Sequence, residues 1–330
     1  MRTPAADVSR ARIHSWNVSY ERRLPWDVSV DVAYVGTAKN GGFTDIDANA
    51  SDVPGGGSAS RPFVANGMGR NNAVLLWGPW AKSRYHSLQV AINRPFKNGL
   101  MLKGAYTLSR AKNEVDDDGW SQLTWSAPSQ RSLNYALAGY DRPQMFNMAF
   151  VYELPYKTST SKDIAHLIFG DWQINGIYTA MSGTPFSITA NGATLNMPGG
   201  MQTANLNGEY KVLGGTGDSE YYFDPAPFSQ PQGVVQGNTG RNQFRGPGYW
   251  NIDGSIFRAF PIGSGGKRAE FRAEFFNLTN TPLWGRPVND ISSGNFGRVT
   301  TVGNDGRGNG SARDSGTGER QIRFGVRFQF

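Results

Sequence analysis

Acidic and histidine side chains are the first candidates for chemistry in this chain. The consecutive carboxylates Asp116–Asp118 could hold Ca²⁺, since hard cations prefer clustered carboxylate oxygens. Three consecutive acids in a loop are more often simply solvated, so calcium binding stays an open alternative. The histidines lack metal-ligand spacing, and no serine stands in the G-x-S-x-G motif of hydrolases. We therefore predict no catalytic, cofactor-binding or metal site, and we expect the chain not to be an enzyme.

Large aromatic side chains in predicted loops form a second candidate set. Aromatic rings in external loops can stack on sugars or other ligands. Amphipathic rings next to strands can instead anchor a protein at the headgroup level of a membrane, or pack within the loops. Their positions beside predicted strands favour anchoring or packing over ligand contact. The candidates for ligand contact are Trp77, Trp80, Trp120, Trp125, Tyr221 and Tyr222.

The elements that position these residues are most clearly visible at the end of the chain. In the closing stretch, residues 321–330 (QIRFGVRFQF), every even position is apolar and every odd position is polar or glycine. Side chains alternate across a strand, so one face of this strand is wholly apolar. A face of this kind fits lipid on one side and a watery lumen on the other, with Arg323 and Arg327 in the lumen.

Similar alternation predicts eight earlier strands, so the chain is expected to be all-β with about nine long antiparallel strands. The predicted long connections are residues 36–84, 110–143, 182–249 and 278–320, and they follow alternate strands. The connections after the other strands are short or moderate. Transmembrane barrels have short periplasmic turns and long extracellular loops, and this asymmetry matches that pattern.

Composition restricts the alternatives. The 42 glycines and 18 prolines favour turns and strands, and no apolar run approaches the roughly 18 residues of a transmembrane helix. The 33 Lys and Arg residues give a net charge of +7 but are scattered, so nucleic-acid binding is not predicted. The chain has no cysteine, and its first twelve residues lack the apolar segment of a signal peptide.

Several stretches resemble the C-terminal barrel half of TonB-dependent outer-membrane receptors, specifically the Oar-like group. The closing strand is also similar to the C-terminal signal read by the outer-membrane barrel assembly machinery, through Arg323, Gly325, Phe328 and Phe330. The stretches that carry the receptor resemblance are FRAEFFNLTNTP (271–282), SGTPF (182–186), RGPGYWNIDGSIFRAF (245–260), DR (141–142) and NFGR (295–298).

The resemblance implies a barrel of about 22 strands around a plug domain. Residues 1–330 would be the C-terminal portion of that barrel, without plug or signal peptide, and we expect an incomplete, open and curved barrel. The implied location is the Gram-negative outer membrane. The implied partners are outer-membrane lipid, the assembly machinery, a TonB-type energy-coupling complex reached through the missing plug, and an unknown small-molecule, peptide or sugar substrate. No cofactor is implied.

A second interpretation stays open on sequence grounds. The chain could be a soluble or surface-attached all-β module for carbohydrate binding or adhesion. In that case the apolar residues of the last strand would pack against a second sheet. Because specificity in such receptors lies in the loops and plug, the sequence does not name a substrate.

Overall fold

Nine long strands form the body of the protein in the computed structural model, which describes residues 1–6, 8–117, 120–155, 164–262, 267–302 and 319–330. Neighbours along the chain are neighbours in the sheet, and every pair of long strands is antiparallel. The strands are β1 (Arg12–Leu24), β2 (Val28–Asp47), β3 (Leu75–Lys97), β4 (Leu100–Asn113), β5 (Gln144–Glu153), β6 (Trp172–Met181), β7 (Tyr249–Pro261), β8 (Arg268–Phe276) and β9 (Gln321–Gln329).

Short elements complete the described part of the chain. There are two α-helices, α1 (Pro62–Ala65) and α2 (Ile164–Phe169), and two 3₁₀ helices, Gly57–Ser60 and Pro128–Asn134. The short strands Arg2–Pro4 and Ala136–Leu137 join the ends of β3 and β4. Two further small ladders pair Pro185–Phe186 with Phe244–Arg245, and Asn205–Leu206 with Phe228–Ser229. No helix in the described part is both long and apolar enough to cross a membrane.

The sheet is open. Among the described residues, β1 and β9 are its two edges and each has one long neighbour. The prediction of nine long antiparallel strands forming an unclosed sheet is confirmed.

Strand register puts the apolar positions of neighbouring strands on one face. Tyr34 of β2 lies opposite Val18 of β1 on one side and opposite Leu88 of β3 on the other. Leu88 in turn lies opposite Leu108 of β4. Directly paired residues point to the same side of a sheet, so these side chains form one continuous surface. We call this side the apolar face.

Apolar residues stay on this same face as far as the last strand. Tyr106 is opposite Phe146, and Phe146 is opposite Ala180. At the far edge, Phe275 of β8 is opposite Ile322 of β9. The other side, called here the polar face, carries mainly hydroxyl, amide and charged groups, including Asn17, Ser87, Gln89, Asn147, Thr179, Glu274 and Arg323.

Within the described residues, no second sheet covers the apolar face. Phe324 is 72% exposed, and the other apolar residues of the closing stretch are also exposed: Ile322, Val326, Phe328 and Phe330. The packing required by the soluble-module interpretation is therefore not observed in the described part of the chain. An apolar surface of this size is stable against lipid rather than water.

Tight and long connections occupy opposite ends of the sheet. The β3–β4 turn is only Asn98-Gly99, both at positive φ (52° and 77°), which is the geometry of a two-residue hairpin turn. The β5–β6 connection contains α2. The long connections start after β2, β4, β6 and β8, as the sequence predicts.

The first long connection is shorter than predicted. Residues 36–84 were expected as one loop, but β2 continues to Asp47 and β3 begins at Leu75, which leaves residues 48–74. Register shifts around Gly42 bend the extended hairpin. Bulges absorb a change of register, and cross-strand pairing outweighs the weak strand propensity of this glycine-rich stretch.

Candidate functional site

The long connections fold against one another into a unit that we call the loop cap, residues 48–74, 114–117, 120–143, 182–248 and 277–302. Direct bonds join its segments. Ser129 donates its backbone N–H to Oδ1 of Asp52 at 3.1 Å. The side-chain amide of Asn289 donates to the carbonyl oxygen of Ser187 at 2.6 Å. The cap is therefore a packed structure, whereas the sequence showed only long, weakly periodic loops.

An aromatic cluster forms the core of the loop cap. Phe223 is fully buried, and its ring centroid lies 6.0 Å from that of Phe186, 5.6 Å from Phe228 and 5.3 Å from Phe296. Edge-to-face and offset contacts at these distances are favourable beyond the area they bury. The remaining buried members of the cluster are Ile188, Ala204, Tyr222, Phe244 and Val299.

Asp47 organises the first connection where β2 ends. Its Oδ1 accepts backbone N–H groups from Asn49 and Val74, each at 2.9 Å, and its Oδ2 accepts from Arg61 at 2.9 Å. The Asn49 side chain donates to two more carbonyl oxygens, those of residues 70 and 72. Buried irregular backbone needs partners of this kind.

Arg245 and Asp141 fasten the middle of the cap to the sheet. Nη2 of Arg245 lies 2.7 Å from Oδ2 of Asp141, and Nη1 donates to the carbonyl oxygens of Asp141 and Gly183. Oδ1 of the buried Asp141 accepts the backbone N–H of Ala111 in β4. Gly183 is required here because a Cβ would lie 2.0 Å from the carbonyl oxygen of Gly246. Three stretches of the receptor resemblance thus meet at one junction.

Arg241 provides a second link between cap and sheet. Its guanidinium is buried, and it donates to the backbone and side-chain oxygens of Asn113 at 2.9 and 3.0 Å and to the carbonyl of Asn134 at 3.0 Å. Asp116 supplies the counter-charge at 3.0 Å. A buried cation needs both a partner charge and full hydrogen bonding, and Arg241 has both.

A polar cavity of about 570 Å³ lies between three of the long connections. Its two guanidinium groups are already engaged: Arg241 as described, and Arg286 with the Thr184 hydroxyl and the Gly139 carbonyl. Within the described residues, the hydroxyl groups of Thr124 and Thr301 have no hydrogen-bond partner and can serve a ligand. The lining is mainly hydroxyl and amide groups, from Ser121, Gln122, Thr124, Ser187, Thr189, Asn242, Asn289 and Thr301.

Two of the predicted loop aromatics lie in a strand. Trp77 and Trp80 belong to β3, so their placement in a loop was wrong. The Trp77 ring stacks on Phe43 at 4.5 Å, and Trp80 donates its Nε1–H to the carbonyl of Leu76 at 3.4 Å. The extended β2–β3 hairpin accounts for the difference, because it carries this stretch into the ladder.

Trp120 and Trp125 have opposite environments. Trp120 is 78% exposed, and the Arg2 guanidinium carbon lies 4.5 Å from its ring centroid. Trp125 is 1% exposed and donates its Nε1–H to the carbonyl of Met201 at 2.9 Å. Only Trp120 of this pair presents its ring to solvent.

Tyr221 and Tyr222 also diverge. Tyr221 is partly exposed beneath the Arg298 guanidinium, 4.6 Å from its ring centroid. Tyr222 is in the aromatic core, where burial raises the pKa of its phenol, while Arg245 acts in the opposite direction. Ligand contact by the exposed aromatics remains a prediction, and the structure does not bring the six rings into one site.

The acidic run and the closing motif have separate positions. Asp116 pairs with Arg241, and Asp118 lies outside the described residues. The structure therefore does not test the three carboxylates together as a calcium site. In the described part, no group of three His, Cys, Asp or Glu residues has metal-binding geometry. The predicted assembly signal, Arg323, Gly325, Phe328 and Phe330, lies on or beside the edge strand β9.

Sequence reasoning missed most residues that build the cavity and its supports. Asp141 and Arg245 fall in the stretches that carry the receptor resemblance, and this was the one available signal. Asp47, Asn49 and Arg241 carried none, because their partners, apart from the local bond between Asp47 and Asn49, are 14 to 128 residues away in sequence.

A comparison with solved structures matches this chain to parts of outer-membrane proteins with very different sequences. The outer membrane transporter YddB from Escherichia coli is 8% identical, with a TM-score of 0.49, over 99% of this chain and 33% of that one. The ferric-catecholate import receptor Fiu from E. coli K12 is 11% identical (TM-score 0.38; 84% and 25% covered). FpvA from P. aeruginosa, solved with a heterologous pyoverdine, is 8% identical (0.44; 96% and 26%).

The chain spans a quarter to a third of the length of these structures. No curated protein matches its sequence. The family described as "Outer membrane beta barrel domain" matches residues 1–323, nearly the whole chain. The protein therefore belongs to the outer membrane beta barrel domain family and is located in the outer membrane.

Proposed function

We propose that residues 1–330 are the C-terminal portion of the barrel of a TonB-dependent receptor of the Oar-like group, and that the whole protein imports a polar solute. The observation that carries the proposal is the in-phase apolar face of nine consecutive antiparallel strands with every long connection at one end. A transport barrel needs this combination: lipid outside, a polar lumen inside, and a large external structure to receive solute.

The energy source and assembly route follow from the same proposal. A TonB-type complex would act on a plug domain of the whole protein, outside residues 1–330, so coupling to it is proposed for the whole protein. The barrel assembly machinery recognises the edge strand β9 through Arg323, Gly325, Phe328 and Phe330. The polar face of β8 and β9, with Glu270 opposite Arg327 and Glu274 opposite Arg323, is the surface that a plug would contact.

The cavity in the loop cap indicates the kind of solute. Its guanidinium groups are held by protein oxygens, and its carboxylates, Glu114 and Asp116, accept from the Lys82 N–H and from Arg241. The groups left for a ligand are mainly hydroxyls and amides. A site of this type hydrogen-bonds a neutral polar ligand, such as a sugar or a peptide backbone, better than an anion. A carbohydrate-binding or adhesion role on the cell surface is the second candidate, favoured by the same lining.

Uptake by the native host tests the proposal and separates it from adhesion. The gene region upstream of this chain should encode a plug and a signal peptide in frame. Deletion of the gene should abolish energy-dependent uptake of one solute from a panel of oligosaccharides and peptides, and a protonophore should have the same effect in wild-type cells. Uptake that survives deletion, with loss of surface attachment alone, would support adhesion instead.

Variants of the cavity test the site itself. Thr124→Val combined with Thr301→Val removes two free hydroxyls with little change of volume, and each lost hydrogen bond to a ligand should weaken binding by about five- to tenfold. The matched control is Thr107→Val on the polar face of β4, which should not alter binding. If the double variant binds the ligand as tightly as the wild type and the control do, the cavity is not the binding site, but the proposed transport role is unaffected.

A further inference from the structure

Five cations occupy the apolar face close to the loop cap, and one of them, Lys82 of β3, lies opposite Asn40. Arg84 of β3 is opposite Ala38 on one side and Lys112 of β4 on the other. Arg110 of β4 is opposite His86. Arg12 of β1 lies opposite Asn40, the next pair on this face after His14 and Ala38. We call Arg12, Arg84, Arg110 and Lys112 the basic patch.

The side chains next to the patch change in the order expected at a membrane surface. Immediately toward the sheet centre lie Trp16, Tyr34 and His86; the Tyr34 hydroxyl is 2.7 Å from Nδ1 of His86, and the Trp16 and His86 ring centroids are 6.0 Å apart. Aliphatic pairs such as Leu88 and Leu108 follow. Cations, then aromatic rings, then aliphatic groups are the succession from headgroups to hydrocarbon.

The depth of the apolar band agrees with this position. Arg84 and Arg94 lie ten residues apart on the same face of β3, which is about 33 Å along a strand. At a strand tilt of about 40°, this separation spans roughly 25 Å along the bilayer normal, the height of a barrel's apolar band. The basic patch therefore lies at the headgroup level on the loop-cap side.

Among the described residues, no salt bridge joins the patch to an acid, and the nearby carboxylate of Glu114 accepts the backbone N–H of Lys82 at 2.7 Å. None of the apolar-face positions of β1 to β4 is an acid, and within the described residues neither Arg12 nor Arg110 has an ion-pair partner. The Arg84 guanidinium is fixed by neutral acceptors, the carbonyl of Lys39 at 3.0 Å and Oδ1 of Asn40 at 3.1 Å. Like charges directly opposite each other, as in Arg84 and Lys112, are destabilising unless an anion lies between them.

We propose that the basic patch binds the phosphate groups of an anionic lipid in the leaflet on the loop-cap side, with the acyl chains against the apolar face below. Guanidinium groups match phosphate oxygens in a bidentate geometry, and lysine adds a point charge. The aromatic rings of Trp16 and Tyr34 would lie under the headgroup. This site is separate from the cavity of the loop cap.

Lipid binding by the protein purified from outer membranes in detergent tests the proposal. The probes are bisphosphorylated lipid A and the same lipid without phosphates, and native mass spectrometry gives the dissociation constant. Each cation near an anionic headgroup contributes about fivefold, so Arg84→Gln, Arg110→Gln and Lys112→Gln together should weaken binding of the phosphorylated lipid roughly 100-fold. The dephosphorylated lipid should bind weakly to wild-type and variant alike.

Matched controls keep this test decisive. Arg23→Gln, Lys103→Gln and Arg327→Gln remove three cations from the polar face and should leave lipid binding unchanged. Arg110→Gln alone alters an exposed side chain and should cost about fivefold in a folded protein. Equal affinity of the triple variant and wild type, equal binding of the two lipids, or competition by inorganic phosphate at matched concentration would each overturn the proposal.

Discussion

Apolar side chains are exposed on the sheet and buried in the loop cap. Phe324 in the sheet is 72% exposed, whereas Phe223 in the cap is 0% exposed. The apolar residues of the sheet have lipid as their solvent, and those of the cap must exclude water by packing on one another. The two regions of one chain are therefore stabilised by different media.

Their hydrogen bonding differs in the same way. The sheet satisfies its backbone through regular ladders between neighbouring strands. The cap has little regular structure, and buried side chains such as Asp47, Asn49 and Asn134 bond its backbone instead. Lipid offers no hydrogen bonds, so within the membrane the backbone must be satisfied by regular strand ladders. The loop cap lies in water, where an irregular backbone satisfied by side chains is also stable.

The largest expected effect breaks the cap alone. Phe223→Ala leaves a cavity in the aromatic core and should cost the cap about 3–5 kcal/mol. Limited proteolysis of the protein in outer membranes should then cut within residues 182–248 while the strands stay protected. Phe324→Ala is the control, because it faces lipid and should leave the cap resistant. Cleavage at equal rates in both variants would mean that cap and sheet do not differ as described.

A charge on the apolar face should affect the sheet alone. Phe324 lies near the middle of β9, and Phe324→Arg should cost roughly 2–4 kcal/mol because the guanidinium would enter hydrocarbon. Ala105→Arg, on the exposed polar face of β4, should change stability by less than about 0.5 kcal/mol. Urea unfolding in detergent micelles measures both. An equal loss for the two variants would contradict the assignment of the faces.

The sheet was predictable from the sequence and the cap was not, for a physical reason. A strand with different media on its two sides must alternate with a period of two, as Ile322 to Phe330 do, and this pattern is local. The core contacts of the cap, such as Phe186 with Phe244, join residues far apart without any period. The boundary error at Trp77 has the same origin, since the bulged hairpin around Gly42 is decided by pairs such as Gly42 with Ala81, which are 39 residues apart in sequence.

Alkaline pH should loosen the cap before the sheet. Burial raises the pKa of Tyr210 and Tyr222 in the cap, and the Tyr210 hydroxyl has no hydrogen-bond partner among the described residues. The unfolded cap ionises at the ordinary tyrosine pKa of about 10, while the folded cap does not. The stability contributed below that pH is therefore lost as the pH rises above it. Phenolate absorbance and proteolysis should change together above about pH 10, and Tyr210→Phe together with Tyr222→Phe should delay that loss.

The smallest effect is expected at the opposite end of the molecule, in acid. Nζ of Lys97 lies 2.5 Å from Oδ2 of Asp27 in the β1–β2 turn, and this hydrogen bond with its charge lowers the pKa of Asp27. The pair therefore stabilises the turn above the ordinary aspartate pKa, and that contribution disappears as the pH falls through the lowered value. Asp27→Asn retains the positive φ of 59° easily, since asparagine tolerates this conformation. The variant should unfold slightly earlier than wild type at neutral pH and identically in strong acid. A difference in stability that persists in acid would mean that Asp27 acts through the backbone geometry of the turn. The charge pair with Lys97 would then not be what stabilises this end of the sheet.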